Sequence, residues 1–159
     1  MLDPEFLLGG DGRERLIARF GAGVVPWCDA LPGLAERCCL RWHLQLDTAL
    51  SGNTSRVFLG SRRGGRGVVL KLTPDPSIAA QEALALRAWA TPHAVSLLAA
   101  DPAAGALLLE KIEPGTKLSD QPGLPPVREI AELLTGLRDA DSDASRQLPA
   151  LAPGVESMF

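Results

Sequence analysis

Two adjoining stretches decide the fold: Val68-Val69-Leu70-Lys71-Leu72, and the Ala- and Leu-rich run 76–90 that opens with Pro76-Ser77-Ile78-Ala79-Ala80-Gln81-Glu82. The first is short, β-branched and apolar, broken only by one lysine, and reads as a strand. The second follows Asp75-Pro76, an N-cap acceptor and a proline suited to the first helical position, and ends before Pro92. It reads as a helix. Within it Ile78, Leu86 and Trp89 lie at −4, +4 and +7 from Glu82, so the carboxylate falls inside the apolar stripe. Burying it alone costs several kcal/mol or forces protonation, so the fold has to bring a cation to it. Lys71, on the strand face it shares with Val69 and Thr73, is the nearest candidate, and the pattern predicts a Lys71–Glu82 ion pair.

Working outward, Trp42, Leu44 and Leu46 alternate with His43, Gln45 and Asp47, the pattern of a strand buried on one side. A polar turn, Ser51-Gly52-Asn53-Thr54-Ser55, separates it from a second apolar stretch, Val57-Phe58-Leu59. The cluster Arg62-Arg63-Gly64-Gly65-Arg66-Gly67 reads as a solvated hairpin tip leading into the Lys71 strand. Three strands joined by short turns run antiparallel. Two more strands are expected at 94–100 and 106–112, reversed by Asp101-Pro102-Ala103-Ala104-Gly105.

Upstream, residues 11–40 read as helical, with Leu16, Ile17 and Phe20 on one face and Pro26 and Pro32 placed to start short helices. Downstream, Pro122, Pro125 and Pro126 mark a linker, and Val127, Ile130, Leu134 and Leu137 form one helical stripe. The expected organisation is a helical segment at 1–40, a sheet-and-helix unit at 41–118, and at 119–159 a linker with the first part of a further lobe. That is an α+β fold with a five-stranded antiparallel sheet and one principal helix.

Composition narrows the function. The 159 residues are 46% apolar with a net charge of −3, which supports a packed core rather than disorder. The acidic balance, 4% aromatic content and lack of tyrosine leave neither a basic field for nucleic acid nor stacking surface for bases. No apolar run reaches membrane-spanning length and the first residues are acidic, so a soluble cytoplasmic protein without a membrane partner is expected. Cys28, Cys38 and Cys39 are odd in number and two are adjacent, which suits buried reduced thiols better than a disulfide framework. With His43 they are the only nearby candidates for a zinc site, a poor set for one. Asp139, Asp141 and Asp143 alternate as calcium ligands do, but Ala144 and Ala150 stand where the loop needs glycine and glutamate. An acidic turn is the better reading.

A lysine on a strand, held by a carboxylate from the next helix and preceded by a Gly- and Ser-containing turn, is the phosphate-handling arrangement of kinases. Gly52-Asn53-Thr54-Ser55-Arg56-Val57-Phe58, Val69-Leu70-Lys71-Leu72, Gln81-Glu82-Ala83-Leu84-Ala85-Leu86 and Ala106-Leu107-Leu108-Leu109-Glu110-Lys111-Ile112-Glu113-Pro114-Gly115 occur here in order. Together they resemble the aminoglycoside phosphotransferases, most closely the streptomycin 6-phosphotransferase or aminoglycoside/hydroxyurea antibiotic resistance kinase group, over about residues 24–118.

The resemblance implies a protein-kinase-like N-terminal lobe that binds ATP beneath the turn holding Ser51, Gly52, Asn53 and Ser55. Lys71 would hold the α- and β-phosphates and Glu82 would orient it. Val69 would cover the adenine ring and Leu109 line the back of the pocket. The carbonyl of Glu110 and the N–H of Ile112 would meet the adenine edge. The turn carries one glycine where protein kinases carry three.

Neither His43 nor His93 is followed by Gly-Asp or Arg-Asp, so no catalytic-loop motif occurs in these residues. The catalytic aspartate and the magnesium ligands are expected from a C-terminal lobe, with no metal site here, and this chain alone is expected to be inactive. The implied substrate is a small-molecule aminoglycoside, streptomycin-like, modified on a hydroxyl. The alternatives are a non-catalytic nucleotide- or partner-binding module, and a small-molecule kinase with a sugar or amino-alcohol acceptor. Uncovered sheet edges and apolar surface make self-association of the chain a further expectation.

Overall fold

A computed structural model of the protein describes residues 2–50, 52–116, 120 and 122–138. Helices α1 (Pro4–Phe20) and α2 (Val25–Trp42) precede strands β1 (Leu44–Leu50), β2 (Arg56–Arg62) and β3 (Gly67–Leu72). Helix α3 (Pro76–Ala88), strands β4 (Leu97–Asp101) and β5 (Ala106–Glu110), and helix α4 (Val127–Arg138) follow. The strands form one antiparallel sheet in the order β1-β2-β3-β5-β4, so the chain is α+β, an arrangement that fits a kinase-like N-terminal lobe.

The sheet is covered on both faces by different parts of the chain. Alternate residues Phe58, Val68, Leu70, Leu72 and Leu108 point one way and are fully buried beneath α1 and α2, against Leu7, Leu16, Cys28 and Leu31. Burying side chains of this size stabilises the fold by about 1.5–3 kcal/mol each. The other face carries Val69, Lys71, Leu107 and Leu109 toward α3, where Ala83 is completely buried in a smaller cluster with Leu107 and Leu109. The larger core therefore lies behind the sheet, and the face bearing the lysine is only partly filled.

The N-terminal helices are longer than their sequence suggests. Asp3 caps α1 by accepting from the Glu5 N–H. The helix kinks at Gly9, whose φ of 64° interrupts the ladder, and the carbonyl of Leu7 accepts a 2.7 Å hydrogen bond from Arg56 Nε instead. Pro26 does stand at the start of α2, but Pro32 lies inside it rather than beginning a new helix. One lost N–H bond is outweighed by the continuous buried face of Cys28, Leu31, Leu34, Ala35, Cys38 and Trp42. Trp42 consequently closes α2 instead of opening β1. It satisfies both a period of two with Leu44 and a helical spacing with Cys38, and packing against the core selects the helix. His43 ends it in the left-handed conformation, its N–H returning to the Cys39 carbonyl.

Strand and helix limits elsewhere shift slightly. The helix expected over 76–90 stops at Ala88, β4 starts at Leu97 instead of residue 94, and β5 ends at Glu110 rather than 112. The reversal between β4 and β5 is a single 3-10 turn in which Asp101 accepts from the Ala104 N–H and Gly105 takes φ 67°. The stripe Val127, Ile130 and Leu134 does lie on a helix, α4, with its apolar residues exposed. The acidic run at Asp139, Asp141 and Asp143 lies outside the described residues, within which no helix is long and apolar enough to cross a membrane. All three cysteines are free, and burial raises the pKa of each, that of Cys38 to about 11.

Candidate functional site

The site is built where β3 meets α3. Antiparallel register sets Val57 and Leu107 beside Lys71, and Leu59 and Leu109 beside Val69, so the lysine emerges from an apolar surface. Three residues after β3, Asp75 caps α3 by accepting from the Ser77 N–H and hydroxyl, at 2.9 and 2.7 Å. Those bonds hold the Asp75 carboxyl below the usual aspartate range. The cap fixes where the helix starts, and hence where Glu82 falls two turns later. Lys71 Nζ donates to both carboxylate oxygens of Glu82, at 2.8 and 2.6 Å. The two side chains retain 25% and 27% of their exposure, so the pair is shielded by its neighbours yet reachable from solvent.

Beside the pair lies an open cleft of about 590 Å³. Of the residues expected at a nucleotide site, Val69, Leu109, Glu110 and Ile112 line it. Lys71 is two residues from Val69 along the same strand face, about 7 Å farther in. Cleft and ion pair therefore adjoin without coinciding. Glu110 is tied to the loop before β4: its N–H donates to the Ser96 carbonyl at 3.0 Å, and its Oε1 accepts from the Ser96 N–H at 2.8 Å. Ile112 stands at the mouth, 61% exposed, an apolar side chain turned to solvent beside an apolar cavity.

The turn before β2 is only partly within view. Ser51 lies outside the described residues. A Cβ at Gly52 would come within 2.7 Å of the Ser55 carbonyl oxygen, so the turn closes tightly enough to require glycine there. Asn53 is exposed and Ser55 is buried. The turn is moored to the end of β3 by Thr73 Oγ1, which donates to the Thr54 carbonyl at 3.3 Å. Gly52, Asn53 and Ser55 do not line the cleft itself.

Sequence reading missed Leu50, Leu59, Val95 and Lys111 as cleft residues, together with Pro114, Gly115 and Thr116. Leu59 became predictable only with the β2–β3 register that pairs it with Val69. Leu50 and Val95 come from separate strands and loops, and no local spacing signals them. Among the described residues, no three side chains of His, Cys, Asp or Glu converge as a metal site.

The arrangement has three chemical parts: an apolar slot for a flat ring, backbone groups at its mouth, and a fixed ammonium next to it for an anion. No protein-family model matches the sequence. The chain is similar to a hydroxyurea phosphotransferase from Kitasatospora aureofaciens, 36% identical over 100 residues, which is 62% of this chain and 29% of that protein. It thus spans less than a third of the relative's length, and the likeness is to a phosphotransferase without distinguishing an aminoglycoside acceptor.

Proposed function

We propose that these residues form the ATP-binding lobe of a phosphotransferase that acts on a hydroxyl of a small molecule. The observation that carries the reading is the two-pronged Lys71–Glu82 pair at the inner edge of an apolar cleft. The site fits ATP part by part. Val69 and Leu59 supply apolar cover for a purine, Leu109 closes the back, and the Glu110 carbonyl and Ile112 N–H offer an acceptor and a donor at the mouth. Lys71 supplies positive charge where the phosphates would follow, and Glu82 fixes its position. The turn at Gly52 and Asn53 would supply backbone N–H groups to phosphate oxygens.

ATP bound there supplies the phosphoryl group; these residues bind and orient it. Magnesium finds no ligand cluster among the described residues. We infer an acceptor of the antibiotic class, a streptomycin-like aminoglycoside. The relative's name points to hydroxyurea as the second acceptor to try.

Two measurements test the proposal. Calorimetric titration of the chain with an ATP analogue should show saturable binding that Lys71→Ala weakens; equal binding by both proteins rejects the site. Assays of the complete gene product with Mg-ATP and either streptomycin or hydroxyurea should show phosphorylation of one of them. Transfer to neither overturns the acceptor class and leaves the nucleotide result standing.

A further inference from the structure

The turn between β2 and β3 holds a second hollow, about 470 Å³ in volume, at the end of the sheet remote from the 51–55 turn. His43, Gln45, Ser61, Arg62, Arg63 and Gly64 line it, with no carboxylate among the lining residues. Arg13, Arg15, Arg41, Lys71, Lys111 and Arg128 each have a carboxylate partner. Arg62, Arg63 and Arg66 have none among the described residues, and neither do Arg19, Arg37, Arg56 and Arg87, but only the first three fall together, within five residues. Arg62 and Arg63 line the hollow and Arg66 stands on the same turn outside its lining, so in a protein of net charge −3 positive potential is concentrated there, and like charges held together without a counter-charge repel.

The backbone that presents them is fixed. Arg62 Nε donates to the Trp42 carbonyl at 3.4 Å, and the Arg63 N–H donates to the His43 carbonyl at 3.2 Å. The Arg62 N–H donates to the Arg66 carbonyl and the Gly65 N–H to the Arg62 carbonyl, both at 2.9 Å. Gly64 and Gly65 take φ of 101° and 83°, which bends the chain at its tip with no side chain projecting from either residue.

We propose that this hollow binds a phosphate group, as free phosphate or as a small phosphate monoester. Guanidinium forks match the paired oxygens of a phosphate. The volume exceeds that of one oxyanion, which leaves room for the group esterified to it. The site is separate from the nucleotide cleft and stands whether or not the phosphotransferase reading holds.

The test follows the backbone amide resonances of the chain by NMR while inorganic phosphate, and in a second series glycerol phosphate, replaces chloride at constant ionic strength. Saturable shifts are expected at Gly64 and Gly65, at least 10-fold weaker in affinity in Arg62→Gln/Arg63→Gln and unchanged in Lys71→Ala. Tighter binding of the ester marks a monoester site, and equal or tighter binding of phosphate marks a free-anion site. Arg63→Gln alone serves if the double variant does not fold. Absence of saturable shifts at these glycines with both anions overturns the proposal, as does retention of full affinity in the arginine variants.

Discussion

Lys71 on β3 and Glu82 on α3 meet through both carboxylate oxygens, although the strand and helix that carry them are joined by only three residues. A link that short leaves the helix little freedom, and its start is pinned by Asp75. The ammonium is therefore held in place before any ligand arrives, which is the condition for electrostatic preorganisation. Its partial exposure leaves room for a phosphate to approach without breaking the pair.

Removing the ammonium should therefore damage function more than folding. In the complete gene product, Lys71→Ala should lower kcat/KM for phosphoryl transfer roughly 100- to 1000-fold, the range for loss of one preorganised charge-stabilising group. Stability should fall by only about 1 kcal/mol or less, because the pair is partly solvated. Glu82→Gln should cost less activity than Lys71→Ala, since it loosens the lysine without deleting it. Steady-state kinetics together with urea unfolding separate the two effects, and equal kinetics in wild type and both variants would sink the site.

The N-terminal helix should be coupled to the sheet through one buried cation. Arg56 is 2% exposed, its Nε is bonded to the Leu7 carbonyl, and its Nη1 has no partner among the described residues. Burial pulls its pKa down, with Arg15 adding to the effect. A Cβ at Gly12 would lie 2.9 Å from Arg56 Nη1. Arg56→Met should cost about 1–3 kcal/mol by orphaning the Leu7 carbonyl. Gly12→Ala should destabilise wild type yet be better tolerated in the Arg56→Met background. A double-mutant cycle in urea should give a coupling on the order of 1 kcal/mol, and additivity would mean that the two residues do not press on each other.

The sheet was legible wherever a single period ruled. The β3 apolar run and the cap before α3 named their elements because nothing competed with them, and Glu82 inside an apolar stripe named its partner. Trp42 was misplaced because it fits two periods at once, and only contact with Cys38 and the core decides between them. Pro32 misled because a helix with a long buried face tolerates an interior proline. Val69, Leu109, Glu110 and Ile112 came forward only through the family resemblance of the segments that carry them, whereas Leu50, Leu59 and Val95 converge through cross-strand pairing and loop placement that no local spacing signals. Arg56 directly precedes the apolar stretch Val57-Phe58-Leu59, and nothing local marks it as buried beneath a kinked helix.

The cysteines give a pH dependence with a definite sign. Burial, helped by neighbouring Cys39 and Asp101, lifts Cys38 from an ordinary thiol value of 9.0 to about 11. A pKa raised in the folded state favours folding while the thiol is protonated. That stabilisation is complete below pH 9 and is lost as the pH climbs through about 11. Urea midpoints should therefore decline between these values more steeply in wild type than in Cys38→Ala. At neutral pH Cys38 should react with iodoacetamide far more slowly in the folded than in the unfolded protein. Equal labelling rates would show that the thiol is not buried.

Gly105 should be the least replaceable glycine of the sheet. It ends the turn between β4 and β5 at φ 67°, where an L side chain costs about 1–2 kcal/mol. A Cβ there would also sit 2.1 Å from the Thr73 carbonyl oxygen, and the Gly105 carbonyl accepts the Thr73 N–H at 2.9 Å. Relieving the clash means moving β3 away from the turn and weakening that bond, which adds about 1 kcal/mol or more. Gly105→Ala should therefore destabilise by about 2–4 kcal/mol. Gly10 has open space around its Cβ position and no positive φ, so Gly10→Ala should be neutral or stabilise by about 0.5–1 kcal/mol. Thr73 also moors the turn before β2, so displacing it should spread to the proposed phosphate-binding loop. Gly105→Ala should accordingly weaken binding of an ATP analogue even under conditions where the variant remains folded, and Gly10→Ala should leave that binding unchanged. Unaltered affinity in Gly105→Ala would show that the loop keeps its geometry independently of Thr73.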